Sequence, residues 1–178
     1  MPIFKRNEQT TETGDPTLKK LKDVPFFSMF RDDDEIIRKI ASMCTRKFYR
    51  KGKYIIREGE DGDELFVVLS GKIEIQKYTL QNEQYTVTTL NADQGGLNVG
   101  EIALIDNDRR SASVLAKTDS ECLIISRNDF LRFGDENPKA GLAITRAIAS
   151  QLSANLRKSN TDVITLFSAL VEEISANE

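Results

Sequence analysis

The sequence predicts a mainly β protein with flanking helices: an antiparallel, jelly-roll-like barrel with N-terminal helices and a long C-terminal helix. Short β-rich runs separated by turn glycines fill the middle of the chain, from Thr45 to Ser126, and such runs are typical of a sandwich or barrel. On either side of that region, apolar residues recur at helical spacing. The length of 178 residues suits one domain with terminal appendages.

Composition excludes several classes of protein. The 25 Lys and Arg against 28 Asp and Glu produce no field that would attract nucleic acid or anionic lipid, so no direct nucleic-acid partner is expected. Histidine is absent, which removes Ser-His and Cys-His pairs and imidazole metal ligands. No secretory signal or spanning segment occurs, so we expect no membrane insertion. Cys44 and Cys122 resemble buried, reduced thiols and favour a cytoplasmic location.

The chain begins with a polar stretch that precedes short helices. Residues 1–16 predict a mobile, polar leader. The segment 17–30, a charged patch that leads into an aromatic-rich run at 24–30, predicts short helices folded onto a neighbouring surface. Asp33 or Asp34 then caps a helix with one apolar face. That face consists of Ile36, Ile37, Ile40, Met43 and Cys44.

The predicted β region, residues 45–126, contains a series of β-rich runs with glycines between them. The runs lie at 47–49, 53–57, 64–69, 72–76, 85–90, 112–117 and 121–125. Ser70 and Gly71 predict a hairpin between the third and fourth runs.

Two helices are predicted after the β region. Ser126 and Asp129 resemble a capping arrangement for a short helix over 127–134, ended by a glycine. Asn137 and Pro138 place a cap residue before a proline at the first helical position, which opens a long helix over 138–158.

The last segment, 159–178, is predicted to be a helical extension. Its apolar residues follow alternating steps of four and three, the spacing of a seam between two helices. They are Val163, Phe167, Leu170 and Ile174. Packing of this set back onto its own domain and dimerisation through it are both open at this point.

The residues with the most specific chemistry lie between Val99 and Val114. Gly100 lets the backbone approach a ligand without a Cβ, and residues 102–105 are long enough for one helical turn whose N–H groups face an anion. Arg110 can make a two-pronged contact with phosphate, and Glu101 suits a sugar hydroxyl. Together these groups fit a sugar-phosphate ring. On chemistry alone, a structural turn beside a cluster of surface ion pairs explains the same residues.

This segment resembles the phosphate-binding cassette of the cyclic nucleotide-binding domain family. The family pattern is F-G-E-[LI]-A-L-[LIV], a short loop, and R-[AST]-A-[STAW]-V; the chain reads V-G-E-I-A-L-I at 99–105 and R-S-A-S-V at 110–114. The glycine-punctuated stretch 57–71 is similar to the family's β2 to β4 region. The resemblance spans a domain over 17–158 and implies an antiparallel β-roll, or double-stranded β-helix, with the long C-terminal helix as a lid.

The resemblance also implies the roles of individual residues. Glu101 accepts from the ribose 2'-hydroxyl, and Arg110 pairs with the exocyclic oxygens of the cyclic phosphate. The other expected pocket residues are Gly100, Ile102, Ala103, Ser111 and Ala112. Arg109 is expected at the periphery. No catalytic residue, metal ligand or cofactor is implied.

The chain departs from the family pattern at two places. Val99 stands where an aromatic residue is usual, and the stretch 90–100 is longer than the family's approach to the glycine. The shape of the pocket near these residues is therefore open.

The identity of the base is open as well. The lid helix covers the base in the family, which makes Asn155 a candidate base contact with Gln151 and Arg146 as rivals; each could instead be an exposed helix residue. Ser111 suits a guanine contact or a phosphate contact. Both cAMP and cGMP therefore stay possible ligands.

The resemblance implies a cyclic-nucleotide receptor without enzymatic activity, which signals by moving its C-terminal helix onto a protein partner or a dimer interface. The 20 residues after Lys158 have no room for a helix-turn-helix. One alternative is a protein-interaction module with a vestigial, nucleotide-free cassette, and another is a cupin-like enzyme with a metal held by carboxylates. A stand-alone receptor and a piece of a longer chain are both open.

Overall fold

A computed structural model describes residues 15–106 and 108–176. Within them, eight antiparallel strands form two sheets flanked by helices, which is the predicted fold class. The helices are α1 (Pro16–Asp23), α2 (Asp34–Ser42), α3 (Arg127–Glu136) and α4 (Pro138–Ala176). The strands are β1 (Thr45–Tyr49), β2 (Tyr54–Ile56), β3 (Glu64–Ser70), β4 (Lys72–Tyr78), β5 (Gln84–Asn91), β6 (Leu97–Val99), β7 (Ser113–Ala116) and β8 (Ser120–Ser126). Of the predicted leader, residues 1–14 lie outside the described residues.

The two sheets form a β-roll with strand orders β1-β8-β3-β6 and β2-β7-β4-β5. Strand β3 lies between β8 and β6, so both of its edges are paired. Its side chains are buried on both faces: Leu65 and Val67 contact the helices, while Phe66 and Val68 lie inside the roll. This double burial explains the uninterrupted apolar run in the sequence.

The helices cover the outer face of the first sheet. The expected folding of the aromatic segment after α1 onto a neighbour is confirmed, since Phe26 and Phe27 are fully buried with their rings edge to face at 5.0 Å. Ile40 from α2 and Ile144 and Ile148 from α4 complete this layer. None of the described helices is long and apolar enough to cross a bilayer.

The predicted caps of α2 and α3 are confirmed, whereas the Asn137 side chain, predicted to cap α4, donates to the Phe133 carbonyl of α3 at 3.2 Å. The Asp33 carboxylate accepts from the Ile36 backbone N–H at 3.0 Å, and Ser126 Oγ accepts from the Asp129 N–H at 3.1 Å. Pro138 is the first residue of α4. Each cap satisfies a backbone group that the first turn of a helix leaves free.

Three details differ from the sequence-based expectations. The hairpin predicted at Ser70 and Gly71 is wrong, because β3 and β4 belong to different sheets and β4 pairs with β5. Strand β6 falls in the stretch 90–100, for which no β-rich run was predicted. Helix α3 continues through Gly134 to Glu136; a Cβ at Gly141 would lie 2.6 Å from the Gly134 Cα, so these glycines let α3 and α4 pack closely.

Helix α4 joins the two segments that the sequence separated at residue 158. It runs for 39 residues without interruption. Its first half packs on the domain, and from Ser153 onward every described residue is exposed. The apolar set from Val163 to Ile174 therefore does not pack back on its own domain.

Candidate ligand-binding site

A cavity of about 440 Å³ opens between the second sheet, the predicted cassette and α4. All seven residues expected at the pocket from the resemblance line it, and so do the candidate base contacts Gln151 and Asn155. Arg146 does not line it and is exposed. The volume falls within the range of about 300–1,000 Å³ typical of small-molecule pockets.

Gly100 lines the cavity between the end of β6 and a one-turn 3-10 helix, Glu101–Leu104. Its φ of 81° is in the left-handed region, which favours glycine. A Cβ there would lie 2.8 Å from Arg110 Nη1 and 3.1 Å from the Glu64 carbonyl oxygen. The glycine therefore lets the turn and the arginine approach each other.

Arg110 is held from three sides. Its Nη1 donates to the Gly100 carbonyl at 3.5 Å, and its guanidinium carbon lies 5.7 Å from the centre of the Phe66 ring. A Cβ at Gly62 would lie 2.5 Å from its Nε, so the β2–β3 loop also packs closely against it. The guanidinium is thereby positioned at the cavity wall.

The side chains of Arg110 and Glu101 form no ion pair with each other or with another described residue. Among the described residues, Arg110 forms no salt bridge, and the Glu101 carboxylate has no hydrogen-bond partner. Burial lowers the pKa of the Arg110 guanidinium, although the nearby carboxylates of Glu64 and Asp63 raise it. A half-buried cation without an ion-pair partner is expensive in the empty protein, and an anionic ligand would offset that cost.

Backbone contacts fix the segment that carries Arg110. The Arg110 N–H donates to the Glu60 carbonyl, and the Gly59 N–H donates to the Arg110 carbonyl, both at 2.9 Å. Three residues after Arg110, Ser113 Oγ accepts from the Glu58 N–H at 2.9 Å. The glycine-punctuated loop between β2 and β3 therefore orients the cassette arginine through its main chain.

The 3-10 turn that follows Gly100 is anchored as well. Arg127, the first residue of α3, donates from Nε to the Ala103 carbonyl at 2.7 Å. The Ala103 N–H donates to the Gly100 carbonyl at 3.2 Å. Ser111 and Ala112 also line the cavity, and Ser111 is exposed.

The long stretch before Gly100 is an ordered arm that contacts α1. Lys20 Nζ donates to the Ala92 carbonyl at 2.6 Å, and a Cβ at Gly96 would lie 2.1 Å from the carbonyl carbon of Asp23. The arm ends in β6, where Val99 is buried and pairs with Phe66. Val99 therefore fills the interior of the roll at the position where the family pattern has an aromatic residue.

Several cavity residues escaped the sequence analysis. Strand β5 supplies Val87, Thr88 and Leu90. Arg109, expected at the periphery, is exposed and lines the cavity together with Asp108. Alternation along β5 puts Thr88 and Leu90 on one face, whereas Val87 lies at the irregularity in the pairing of β5 with β4. Which strand faces the cassette depends on sheet pairing, which the sequence does not reveal.

The fold is a β-roll, and its cavity is lined by a cationic side chain, Arg110, and by a carboxylate side chain, Glu101. Together they define a small-molecule-binding module. The model of the cyclic nucleotide-binding domain family matches residues 46–137, which is more than half of the chain. The chain belongs to this family.

Named relatives and a solved structure agree with this assignment. Human cGMP-dependent protein kinase 2 is 38% identical over 99 residues, covering 54% of this chain and 13% of the kinase. Cyclic AMP receptor protein of Thermus thermophilus is 30% identical over 122 residues, covering 68% of this chain and 53% of that protein. The crystal structure of Thermus thermophilus catabolite activator protein superposes with a TM-score of 0.70 at 29% identity, covering 80% of this chain and 62% of that one.

Proposed function

We propose that this chain is a cyclic-nucleotide receptor in which Arg110 binds the cyclic phosphate and Glu101 binds the ribose. The observation that carries the proposal is the half-buried guanidinium of Arg110, which lines the cavity without a salt bridge to any described residue. A cyclic phosphate supplies the missing negative charge in a form that accepts two parallel hydrogen bonds. Glu101, lining the same cavity, supplies an acceptor for a hydroxyl donor.

The ligand that we propose is cAMP or cGMP. One matched relative is named for cGMP and another for cyclic AMP, so the likeness supports both. Gln151 and Asn155 line the cavity from α4, and their amides can each donate and accept at a purine edge. We therefore place the base between the roll and α4.

The signal that we propose is a change in the position of α4. A ligand shifts a conformational equilibrium only through its different affinity for the two states. Contacts from Gln151 and Asn155 to the base would supply that difference, because they exist only when α4 covers the cavity. The helix then presents its exposed C-terminal half to a partner, which we propose to be a second copy of the chain.

We propose a non-enzymatic role. In the described part of the chain, no three His, Cys, Asp or Glu side chains are grouped so as to hold a metal ion, so the carboxylate-metal alternative lacks a set of ligands. The matched part covers 13% of the kinase relative and overlaps the residues matched by the cyclic nucleotide-binding domain. The free thiols of Cys44 and Cys122 support the proposed cytoplasmic location, because reduced cysteines persist there.

Calorimetric titration of the chain against cAMP, cGMP and a cyclic dinucleotide, side by side, tests the ligand. We expect saturable binding of at least one cyclic mononucleotide, and weaker binding of linear 5'-AMP, which has no cyclic phosphate for the cassette. Absence of heat and of any thermal stabilisation with all of these ligands would favour the alternative of a nucleotide-free interaction module.

Sedimentation tests the proposed dimer independently of the ligand. The full chain should sediment as a dimer, and a chain ending at Lys158 should sediment as a monomer that still binds nucleotide. A dimer that persists after truncation would place the interface elsewhere in the molecule.

A further inference from the structure

Asn98 carries a polar group that is buried without a partner. Its side-chain nitrogen, Nδ2, is shielded from solvent, and among the described residues no group accepts a hydrogen bond from it. Native proteins leave few buried donors unpaired, because an unpaired donor loses its hydrogen bonds to water without replacement. A state of the molecule in which Nδ2 finds an acceptor is therefore favoured.

Asn98 stands on the face of the first sheet that α4 covers. It is the middle residue of β6, and its neighbours Leu97 and Val99 pack inside the roll. Side chains alternate along a strand, so that of Asn98 lies on the outer face. It is directly opposite Val67, which belongs to the apolar cluster that Leu152 of α4 packs against. Asn98 also lines the ligand cavity, so it lies where the cavity meets α4.

Gln151 is the carboxamide of α4 that is best placed to pair with Asn98. It precedes Leu152, lines the same cavity and is partly buried, whereas Asn155 is exposed. The Gln151 side chain also has no hydrogen-bond partner within the described part of the chain. A carboxamide has an oxygen that accepts and a nitrogen that donates. Gln151 Oε1 can therefore supply the acceptor that Asn98 Nδ2 lacks.

We infer that Asn98 fixes the orientation of the Gln151 carboxamide over the bound nucleotide, and that this orientation makes the site prefer guanine to adenine. The inference rests on the cyclic-nucleotide receptor proposed above and names its base. When α4 closes over the ligand, Asn98 Nδ2 donates to Gln151 Oε1. The oxygen of Gln151 is then engaged, and only the N–H groups of its Nε2 face the base.

A carboxamide that can only donate distinguishes the two purines. On the edge that carries N7, guanine presents two acceptors, N7 and O6, whereas adenine presents the N7 acceptor beside the N6 amino donor. The Nε2 donors therefore match guanine and meet another donor at adenine. A carboxamide that turns freely does not discriminate in this way, because it can donate to N7 of adenine and accept from N6. Asn98 is thus a positioning residue that sets specificity through Gln151.

Calorimetric titration with cGMP and cAMP, compared between variants, tests the inference. The unaltered chain should bind cGMP at least about fivefold more tightly than cAMP, since a well-placed pair of hydrogen bonds discriminates bases by at least that factor. Asn98→Leu keeps the size of the side chain and removes the donor, so the two dissociation constants should come within about twofold of each other. Gln94→Leu, an exposed change in the same arm, is the control and should keep the full preference.

Asn98→Asp tests the direction of the hydrogen bond. An ionised carboxylate only accepts, so Gln151 must turn its Nε2 towards it and present Oε1 to the base. The preference should then pass to cAMP, whose N6 amino group donates. The added negative charge weakens the binding of both nucleotides, but the ratio of their dissociation constants is free of this effect because their ribose and phosphate are identical.

A double-mutant cycle shows whether Asn98 acts through Gln151. Gln151→Leu should lose the preference for cGMP, and Asn98→Leu added to it should change the ratio no further. Unfolding in urea without nucleotide checks that each variant folds. Asn98→Leu should be at least as stable as the unaltered chain in that measurement, because it removes an unpaired buried donor.

The outcomes separate this inference from the proposed function. Equal binding of the two nucleotides by the unaltered chain, or a preference for cAMP, would overturn the inference and leave the receptor standing. It would also be overturned if Asn98→Leu left the ratio unchanged, or if Asn98→Leu still changed the ratio in the Gln151→Leu background. Binding of neither nucleotide would overturn the proposed function and this inference together.

Discussion

Replacement of Arg110 by leucine removes the guanidinium and keeps an apolar side chain of moderate size at the cavity wall. A hydrogen bond to a charged group contributes about 1.5–3 kcal/mol, and its loss from a partly desolvated site lies toward the upper part of that range. We therefore expect nucleotide affinity to fall by at least about 2 kcal/mol, which is about thirtyfold.

The same change should spare the protein without nucleotide. Arg110 forms no salt bridge with a described residue, and burial lowers its pKa, so the charged group is disfavoured where it stands. Leucine can pack against Phe66, whose ring the guanidinium now contacts. The free energy of unfolding without ligand should therefore be unchanged or higher.

A thermal or urea melt with and without nucleotide measures both effects. At about 100 times the dissociation constant of the unaltered chain, nucleotide should stabilise it by about 2.7 kcal/mol; a thirtyfold weaker variant should gain only about 0.9 kcal/mol at that concentration. Arg38→Leu, an exposed change on α2, should keep the full gain, and Arg109→Leu should lose much less than Arg110→Leu. Full stabilisation of Arg110→Leu by nucleotide would refute the assignment of the phosphate contact to this residue.

Three further predictions follow from the geometry. Gly100→Ala should lower the free energy of unfolding, measured in urea, by about 1–2 kcal/mol, because the φ of Gly100 is left-handed and the added Cβ would meet Arg110. Gly95→Ala is the control and should change little, because open space surrounds Gly95. Equal effects of the two substitutions would contradict this reasoning. Lys117 Nζ lies 2.6 Å from Glu74 Oε2 and holds the pKa of Glu74 below its ordinary value. The ionised carboxylate therefore stabilises the fold at pH values above that ordinary pKa, and this contribution is lost as the pH falls through the lowered pKa. Glu74→Gln should thus be less stable than the unaltered chain in urea at pH 7 and equal to it in strong acid, and a difference that persists in acid would point to packing instead. Because burial raises the pKa of Cys44 and Cys122 to about 12, iodoacetamide at neutral pH should alkylate them slowly in the folded chain and quickly in urea; rapid reaction of the folded chain would count against their burial.

Local patterns predicted most elements, and long-range pairing decided the rest. The runs that became β3, β4 and β8 were visible because side-chain polarity and β-branching mark a strand within a few residues. The hairpin at Ser70 and Gly71 was wrong because strand partners are chosen by the whole roll, in which β3 pairs with β8 and β6. Strand β6 has three residues, too few for alternation to be recognised.

The residues of the site likewise fall into those that local sequence patterns predicted and those that depend on long-range strand pairing. The cassette was readable because its glycine, carboxylate and arginine lie within one continuous stretch of sequence. The wall made by Val87, Thr88 and Leu90 was not, since nothing near β5 indicates that it faces the cassette. The polar group at 159–161 suggested a break in α4, yet Ser, Asn and Thr each cost a helix only about 0.7 kcal/mol or less, and neither glycine nor proline follows Gly141 in the described helix.

If α4 tilts on ligand binding, as we propose, its unbroken length makes it act as a lever. Its fulcrum is the core around Ile144 and Ile148, and the cavity contact at Asn155 lies close to that fulcrum. From Asn155 to Ala176 the rod measures about 30 Å at 1.5 Å per residue, so a tilt of ~10° would displace the far end by ~5 Å. A small adjustment at the ligand would thus be amplified to about one helical turn at the tip, without any change in the helix itself.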